Sequence, residues 1–564
     1  MPPGTEMQML GNGISWRTGA RFYAGVIALG TLAATATAAG ATATAAGATA
    51  SGATATASGA GHRISAAANR DASTAPVAFT ADGAVRGTVA GGTDEFLGIP
   101  YAAPPVGPLR WRPPQPAVRW HGVRDATTFA AHCPQQASPF GVASLSEDCL
   151  YLNVFAPAGG RPGGGRPVMV WIHGGALVTG ESDDYDPAKL VSNGTVVVTI
   201  NYRLGALGFL AHPALADRPG GPSGNYGLMD QQAALRWVQR NIRQFGGDPR
   251  NVTIFGESAG GLSVLSQLDS PGADGLFQRA IAQSGAYNLT QAPLATAEAA
   301  GEAFAATAGC ASQTAACLRG LPVSAIVASE NTAGYTPDLD GTVLRQSIGT
   351  ALASGQFNRV PIINGSNHDE WRLFVALSEL QGAPVTTANY QDMIAATLHV
   401  PATVAAVIAA QYPLSSFPSP SVALGAVGTD AIFACPALTV DESASKFVPT
   451  FGYEFNDENA PQRFLPPVSF PYGAAHASEL QYLFGLPTAP IPGPLTAPQE
   501  QLAASMRQYW TSFATRGFPS SPGQPPWARF GSLSQQMLSL VPPQPQAETD
   551  FAVAHHCAFW ALAG

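Results

Sequence analysis

The sequence predicts an α/β fold, with a central, mostly parallel sheet flanked by helices, and three observations carry that expectation. Residues 168–172 (Val-Met-Val-Trp-Ile) and 196–200 (Val-Val-Val-Thr-Ile) are almost wholly apolar runs. They read as strands buried on both faces, the habit of parallel sheets. Between Asn225 and Phe245 the apolar residues Leu228, Leu235, Val238, Ile242 and Phe245 recur at steps of three, four or seven, which keeps one face of a helix apolar. Such strand-like and helix-like stretches alternate along the chain, as α/β architecture requires.

The remaining elements follow in order. Arg17 and Arg21 precede an apolar run over 22–32, and Ala-Thr repeats follow. This is the layout of a secretory signal peptide, expected over 1–38, and its apolar run is too short for a stable membrane anchor. Residues 39–75 are almost entirely Ala, Thr, Gly and Ser with few large apolar side chains to bury, so a disordered linker is expected there. A single catalytic domain is expected over 76–564. It opens with a β-hairpin region over 77–97, broken by Gly83, Gly87, Gly91 and Gly92, and continues into a Pro-rich loop over 100–116. Gly246-Gly247 ends the periodic helix, and 252–255 form a short strand that runs into a helical stretch over 262–268. Strands are also expected over 280–283, 360–364 and 450–455.

Composition narrows the function. Across 564 residues, 46% are hydrophobic and 12% charged, with 61 Gly and 48 Pro, the balance of a loop-rich globule. A net charge of −9 without Lys/Arg clusters excludes nucleic acid as a partner class. Six cysteines, Cys133, Cys149, Cys310, Cys317, Cys435 and Cys557, suit an exported protein with three disulfides, although spacing leaves fifteen pairings open. None has C-x-x-C spacing, so no metal site is expected.

The chemistry centres on Gly256-Glu257-Ser258-Ala259-Gly260, a G-x-S-x-G motif between a strand and a helix. Its glycines allow a tight turn that lifts the Ser258 hydroxyl above the sheet and toward the helix N-terminus. A serine needs a histidine base, and that histidine a carboxylate to fix its tautomer. His368, His399, His476, His555 and His556 follow Ser258, and Asp369 and Glu370 both lie at a strand's carboxyl end. His476 stands in a small-residue loop over 473–478, whereas His555 and His556 abut Cys557, where a structural role is more natural. Upstream, His173-Gly174-Gly175-Ala176 closes a buried strand. Backbone N–H groups there and at Ala259 can face an oxyanion.

These patterns resemble the type B carboxylesterase family, which includes the cholinesterases and related lipases. Glu147 to Val154 (E-D-C-L-Y-L-N-V) and Phe245-Gly246-Gly247-Asp248-Pro249 through the serine pentapeptide carry the likeness, together with the glycine turn. It extends from about Val77 to Cys557-Ala558-Phe559-Trp560. The resemblance implies an α/β-hydrolase fold with long insertions, including 373–444, roofing the active site. It also implies Glu370 as the acid, from Asn367-His368-Asp369-Glu370-Trp371, and His476 as the base, from the G-x-x-H-x-x-E pattern over 473–479. By the same likeness Gly175, Ala176 and Ala259 are the oxyanion donors, Glu257 and Ser284 are polar residues just behind the triad, and the pairs are Cys133–Cys149, Cys310–Cys317 and Cys435–Cys557. Trp371 departs from the Gly expected after the acid, and Ala176 from a frequent Gly.

The function expected is that of a secreted serine carboxylesterase working through an acyl-enzyme on small-molecule esters, without cofactor or metal. The alternatives are a lipase for long acyl chains and a non-catalytic cholinesterase-like binding module.

Overall fold

Residues 75–218, 220–330 and 335–563 are described by the computed structural model. The expected leader, and the linker up to residue 74, lie outside them. Eleven strands form the main sheet: β1 (Thr88–Ala90), β2 (Thr93–Pro100), β3 (Tyr151–Pro157), β4 (Arg166–Ile172), β5 (Val196–Ile200), β6 (Gly247–Glu257), β7 (Arg279–Gln283), β8 (Ile362–Asn367), β9 (Thr450–Phe455), β10 (Met537–Leu540) and β11 (Gln546–Glu548). Their spatial order is β11-β10-β9-β8-β7-β6-β4-β5-β3-β2-β1. Neighbours from β5 through β10 pair in parallel, and antiparallel strands close both margins. This is the large, mostly parallel sheet of an α/β-hydrolase.

Alternation along each strand explains why both faces are apolar. Val168, Val170 and Ile172 of β4 enter the core on one side of the sheet, while Met169 and Trp171 enter the core on the other. The first core takes the apolar face of α1 (Tyr226–Asn241) through Leu228, Leu235 and Val238, and with it α2 (Ala259–Asp269). The second takes Met506, Trp510 and Phe513 of the later helix Ala497–Arg516. Each fully buried side chain of this size contributes roughly 1.5–3 kcal/mol, so two packed faces hold the sheet rigid.

Two elements differ from expectation for identifiable reasons. Strand β6 begins at Gly247, five residues early, because Gly246 ends the preceding helical turn in a left-handed conformation and β4 continues to pair as far as Arg166↔Gly247. Strand β8 runs over Ile362–Asn367 and not 360–364, since its polar Ser366 and Asn367 keep parallel partners in Glu454 and Phe455.

The excursion after β8 holds four helices, α3 (Arg372–Leu380), α4 (Tyr390–Leu398), α5 (Ala402–Gln411) and α6 (Pro420–Gly428), then a π-helical turn (Thr429–Ala434) and α7 (Cys435–Ala444). Among the described residues, the run Pro420–Ala444 alone is a single helix apolar and long enough to cross a membrane, yet 78% of its most apolar window is buried inside the protein. It is core material. Trp371 explains part of its packing: the indole fills the space above Gly428, where a Cβ would strike the ring, and packs at a tilt against Phe374, ring centres 4.4 Å apart. The bulk that replaces the expected glycine is therefore absorbed by a glycine opposite. The disulfides are Cys133–Cys149, Cys310–Cys317 and Cys435–Cys557, the pairing that the resemblance implies.

Candidate active site

Strand order locates the site. The chain leaves β4 for β5 on one side and later returns to lay β6 on the other, so the connections diverge at β4. In open parallel sheets a ligand crevice forms at the carboxyl ends of such strands. The turn His173–Ala176 follows β4 and Ser258 follows β6, which puts both at that crevice.

Ser258 sits between β6 and α2 with φ 55° and ψ −120°, a conformation costly for a residue with a side chain. Two contacts impose it. The Ser258 N–H donates to Gln283 O at 2.9 Å, and a Cβ on Gly260 would run into the Ile172 carbonyl, so β4 and α2 approach as only glycine allows. Gly174 is constrained from the other side: a Cβ there would lie 3.1 Å from the Ser258 Cβ and 2.8 Å from Glu257 O. Gly175 and Ala176 have φ 98° and 56°, and among the described residues their N–H groups, like that of Ala259 at the start of α2, make no turn or loop hydrogen bond. The glycine turn is fixed by His173, whose Nδ1 lies 2.8 Å from Gly174 O and whose carbonyl accepts from the Tyr202 hydroxyl at 2.8 Å. Burial holds the His173 imidazole down at about 4, neutral near pH 7.

Of the candidate bases, His476 alone lines the cavity with Ser258. Its Nδ1 lies 2.5 Å from Glu370 Oε2, a charge-assisted contact, and its backbone N–H reaches Glu370 O at 3.3 Å. Glu370 is fully buried and takes a second hydrogen bond from the Asn367 N–H at 2.7 Å. His476 Nε2 faces Glu257 Oε1 at 3.2 Å and has no hydrogen-bond partner among the described residues. Burial pushes the Glu257 carboxyl up to about 8, so it keeps its proton near pH 7. Burial pulls His476 down, but the Glu257 and Glu370 carboxylates outweigh it and raise the imidazole. With Glu257 protonated, the Glu370 carboxylate at Nδ1 is the charge that faces the imidazole near pH 7.

The other sequence candidates fall elsewhere. Asp369 turns to His368, Arg372 and the Ala474 N–H. His555 is buried between Asp430 and Glu454, and His399 ends α4 in a left-handed conformation. Ser284 is buried beside β7 with φ 50°, its hydroxyl has no hydrogen-bond partner among the described residues, and it does not line the cavity.

The cavity itself holds about 210 Å³. Its walls come largely from segments that no periodic pattern marks. Phe140 and Val142 enter from the loop before β3, Tyr185 from beyond β4, Phe374 and Leu377 from α3, and Phe464 from the stretch after β9. The excursion after β8 thus supplies one wall of the cavity. The signal available in the sequence was only the aromatic side chains within loops.

The carboxylesterase family model matches residues 74–560. The chain is 36% identical to a cocaine esterase of Homo sapiens over 524 residues, covering 86% of this chain and 91% of that protein. It is 37% identical to an acylcarnitine hydrolase of Mus musculus over 485 residues, 80% and 85% of the two chains. It is also 37% identical to a fumonisin B1 esterase of Sphingopyxis macrogoltabida over 479 residues, 80% and 84%. With a strained serine and a paired histidine at the crevice of an α/β-hydrolase sheet, and with relatives matched over most of both chains, the chain belongs to the carboxylesterase family, serine hydrolases acting on carboxylic ester bonds.

Proposed function

We propose that Ser258, His476 and Glu370 form the triad of a secreted carboxylesterase that works through an acyl-enzyme. The observation that carries this reading is the 2.5 Å contact from His476 to Glu370 at the cavity that Ser258 lines. In the neutral ring, a proton on Nδ1 directed at Glu370 leaves Nε2 as the acceptor. Ser258 Oγ attacks the ester carbonyl while Nε2 takes its proton, and the N–H groups of Gly175, Ala176 and Ala259 bind the oxyanion. Collapse of the tetrahedral intermediate expels the alcohol, which leaves with the proton from His476. Water then repeats the cycle and frees the acid. Apo active sites often hold such hydrogen bonds long, so substrate is expected to draw Ser258 and His476 together. Glu257 supports the cycle as a neutral carboxyl beside Nε2.

The small cavity and its aromatic walls favour compact neutral esters over long acyl chains. The proposal of export rests on the leader pattern and on three disulfides. The discriminating experiment compares p-nitrophenyl acetate, butyrate and palmitate, below and above micelle formation. Short esters are expected to be cleaved fastest, with no jump in rate at the micellar threshold. A preference for palmitate with interfacial activation contradicts the esterase reading and favours a lipase.

A further inference from the structure

A second constellation lies away from the cavity, where the chain end meets the sheet. His368 follows β8, Glu454 lies in β9, and His555 stands after the long helix α8 (Ala497–Arg516), just before α9 (Cys557–Ala563). One ring nitrogen of each histidine and one carboxylate oxygen of Glu454 lie within 4.8 Å of one another. We propose that these three residues bind a divalent transition-metal ion of the zinc type, with water as the fourth ligand.

Four features support the assignment. Each histidine already holds a carboxylate at Nδ1: His555 with Asp430 Oδ1 at 2.7 Å, and His368 with Asp369 Oδ1 at 3.1 Å. A histidine ligand characteristically gives its other nitrogen to a carboxylate, which fixes the ring and strengthens the donor. Both Nε2 atoms are thereby left for the centre, where His555 Nε2 stands 2.6 Å from Glu454 Oε1. That separation is spanned by a proton, which an incoming ion would displace, with the ligands moving slightly apart.

The backing is rigid. Asp430 is also held by the Tyr412 hydroxyl at 2.7 Å and by His556 Nδ1 at 3.2 Å, and the His368 N–H is fixed to Phe455 O at 2.9 Å. Carboxylates are in excess. Glu454 and the two aspartates behind the histidines, Asp430 and Asp369, stand within the same cluster. Finally, there is an entry path: the His368 side chain is 33% exposed, whereas Glu454 and His555 are buried. Two imidazoles, a carboxylate and water make a donor set suited to tetrahedral zinc. The ligands are scattered over nearly two hundred residues of sequence, so no compact motif announces them.

The test uses the full chain, stripped with EDTA and then titrated with Co²⁺ or Zn²⁺. The site predicts about one ion per chain, the strong visible absorption of tetrahedral Co²⁺, and a higher melting temperature with either metal. His368→Ala removes a partly exposed ligand and is expected to weaken binding at least about tenfold. Its circular dichroism and melting temperature in EDTA should match those of the parent, and Glu454→Gln should abolish uptake. The proposal is overturned if the stripped parent takes up no ion, or if His368→Ala binds Co²⁺ with the parent's affinity and spectrum. In either case the cluster is a proton-bridged ion-pair network alone.

Discussion

Ser258 is held at φ 55° although it carries a side chain, and the strain is imposed by close backbone approach at Gly260 and Gly174. The five-residue motif made this position legible, because glycines flanking a serine between a strand and a helix have few other uses. His476 was not legible from spacing. Five histidines follow the serine, and the separation from Glu370 to His476 is closed only by the fold. The likeness to the family chose between them; in the structure His476 Nδ1 lies 2.5 Å from Glu370 Oε2. Glu257 gives a testable consequence at this scale. Burial keeps its carboxyl protonated near pH 7, so Glu257→Gln replaces one neutral group by another. The acid limb of the kcat/KM profile is expected to stay in place. A move of the limb to lower pH by about 1 unit or more, the effect of losing a contact charge, would mean that Glu257 is ionised beside His476.

Between elements, the loop after β8 that carries Glu370 and the loop over 473–476 that carries His476 are laced together by Asp369. Its backbone N–H donates to Ala474 O at 3.0 Å, and its Oδ2 accepts from the Ala474 N–H at 2.9 Å. The neighbouring His368 and Arg372 and the Ala474 N–H outweigh burial and keep the Asp369 carboxyl below its usual range, hence ionised. Gly473 must lack a Cβ because one would strike the Asp369 carboxylate. Asp369→Ala should therefore loosen the Glu370–His476 alignment without touching the cavity wall. A fall of about 10- to 100-fold in kcat with KM little changed is expected, since misplacement of about an ångström costs that much. A change in KM alone would contradict this role. The strands were legible because continuous apolar runs mark them. The walls of the cavity were not, because Phe140 and Phe464 come from loops and Phe374 from α3, and sequence periodicity cannot place these segments relative to one another.

At the scale of the molecule, two apolar sheet faces back the strands β4 and β6 at the crevice, and three disulfides cross-link the chain around them. The bridge Cys435–Cys557 closes a span of 122 residues and ties α9 to α7. In the chain-entropy model a loop of that length contributes roughly 4 to 5 kcal/mol. Replacing both cysteines by Ala should lower the unfolding free energy in urea by that order. A loss below about 1 kcal/mol would show that the unfolded chain is already constrained there.

The central claim is that Ser258 carries the acyl group. Its most direct test is labelling of the intact protein with a fluorophosphonate, followed by peptide mass spectrometry. One adduct per chain, on the peptide containing Ser258, is predicted, with hydrolysis of p-nitrophenyl acetate lost in step and a fall of at least about 10⁴-fold in Ser258→Ala. An adduct on another residue, or full activity in Ser258→Ala, would contradict the account.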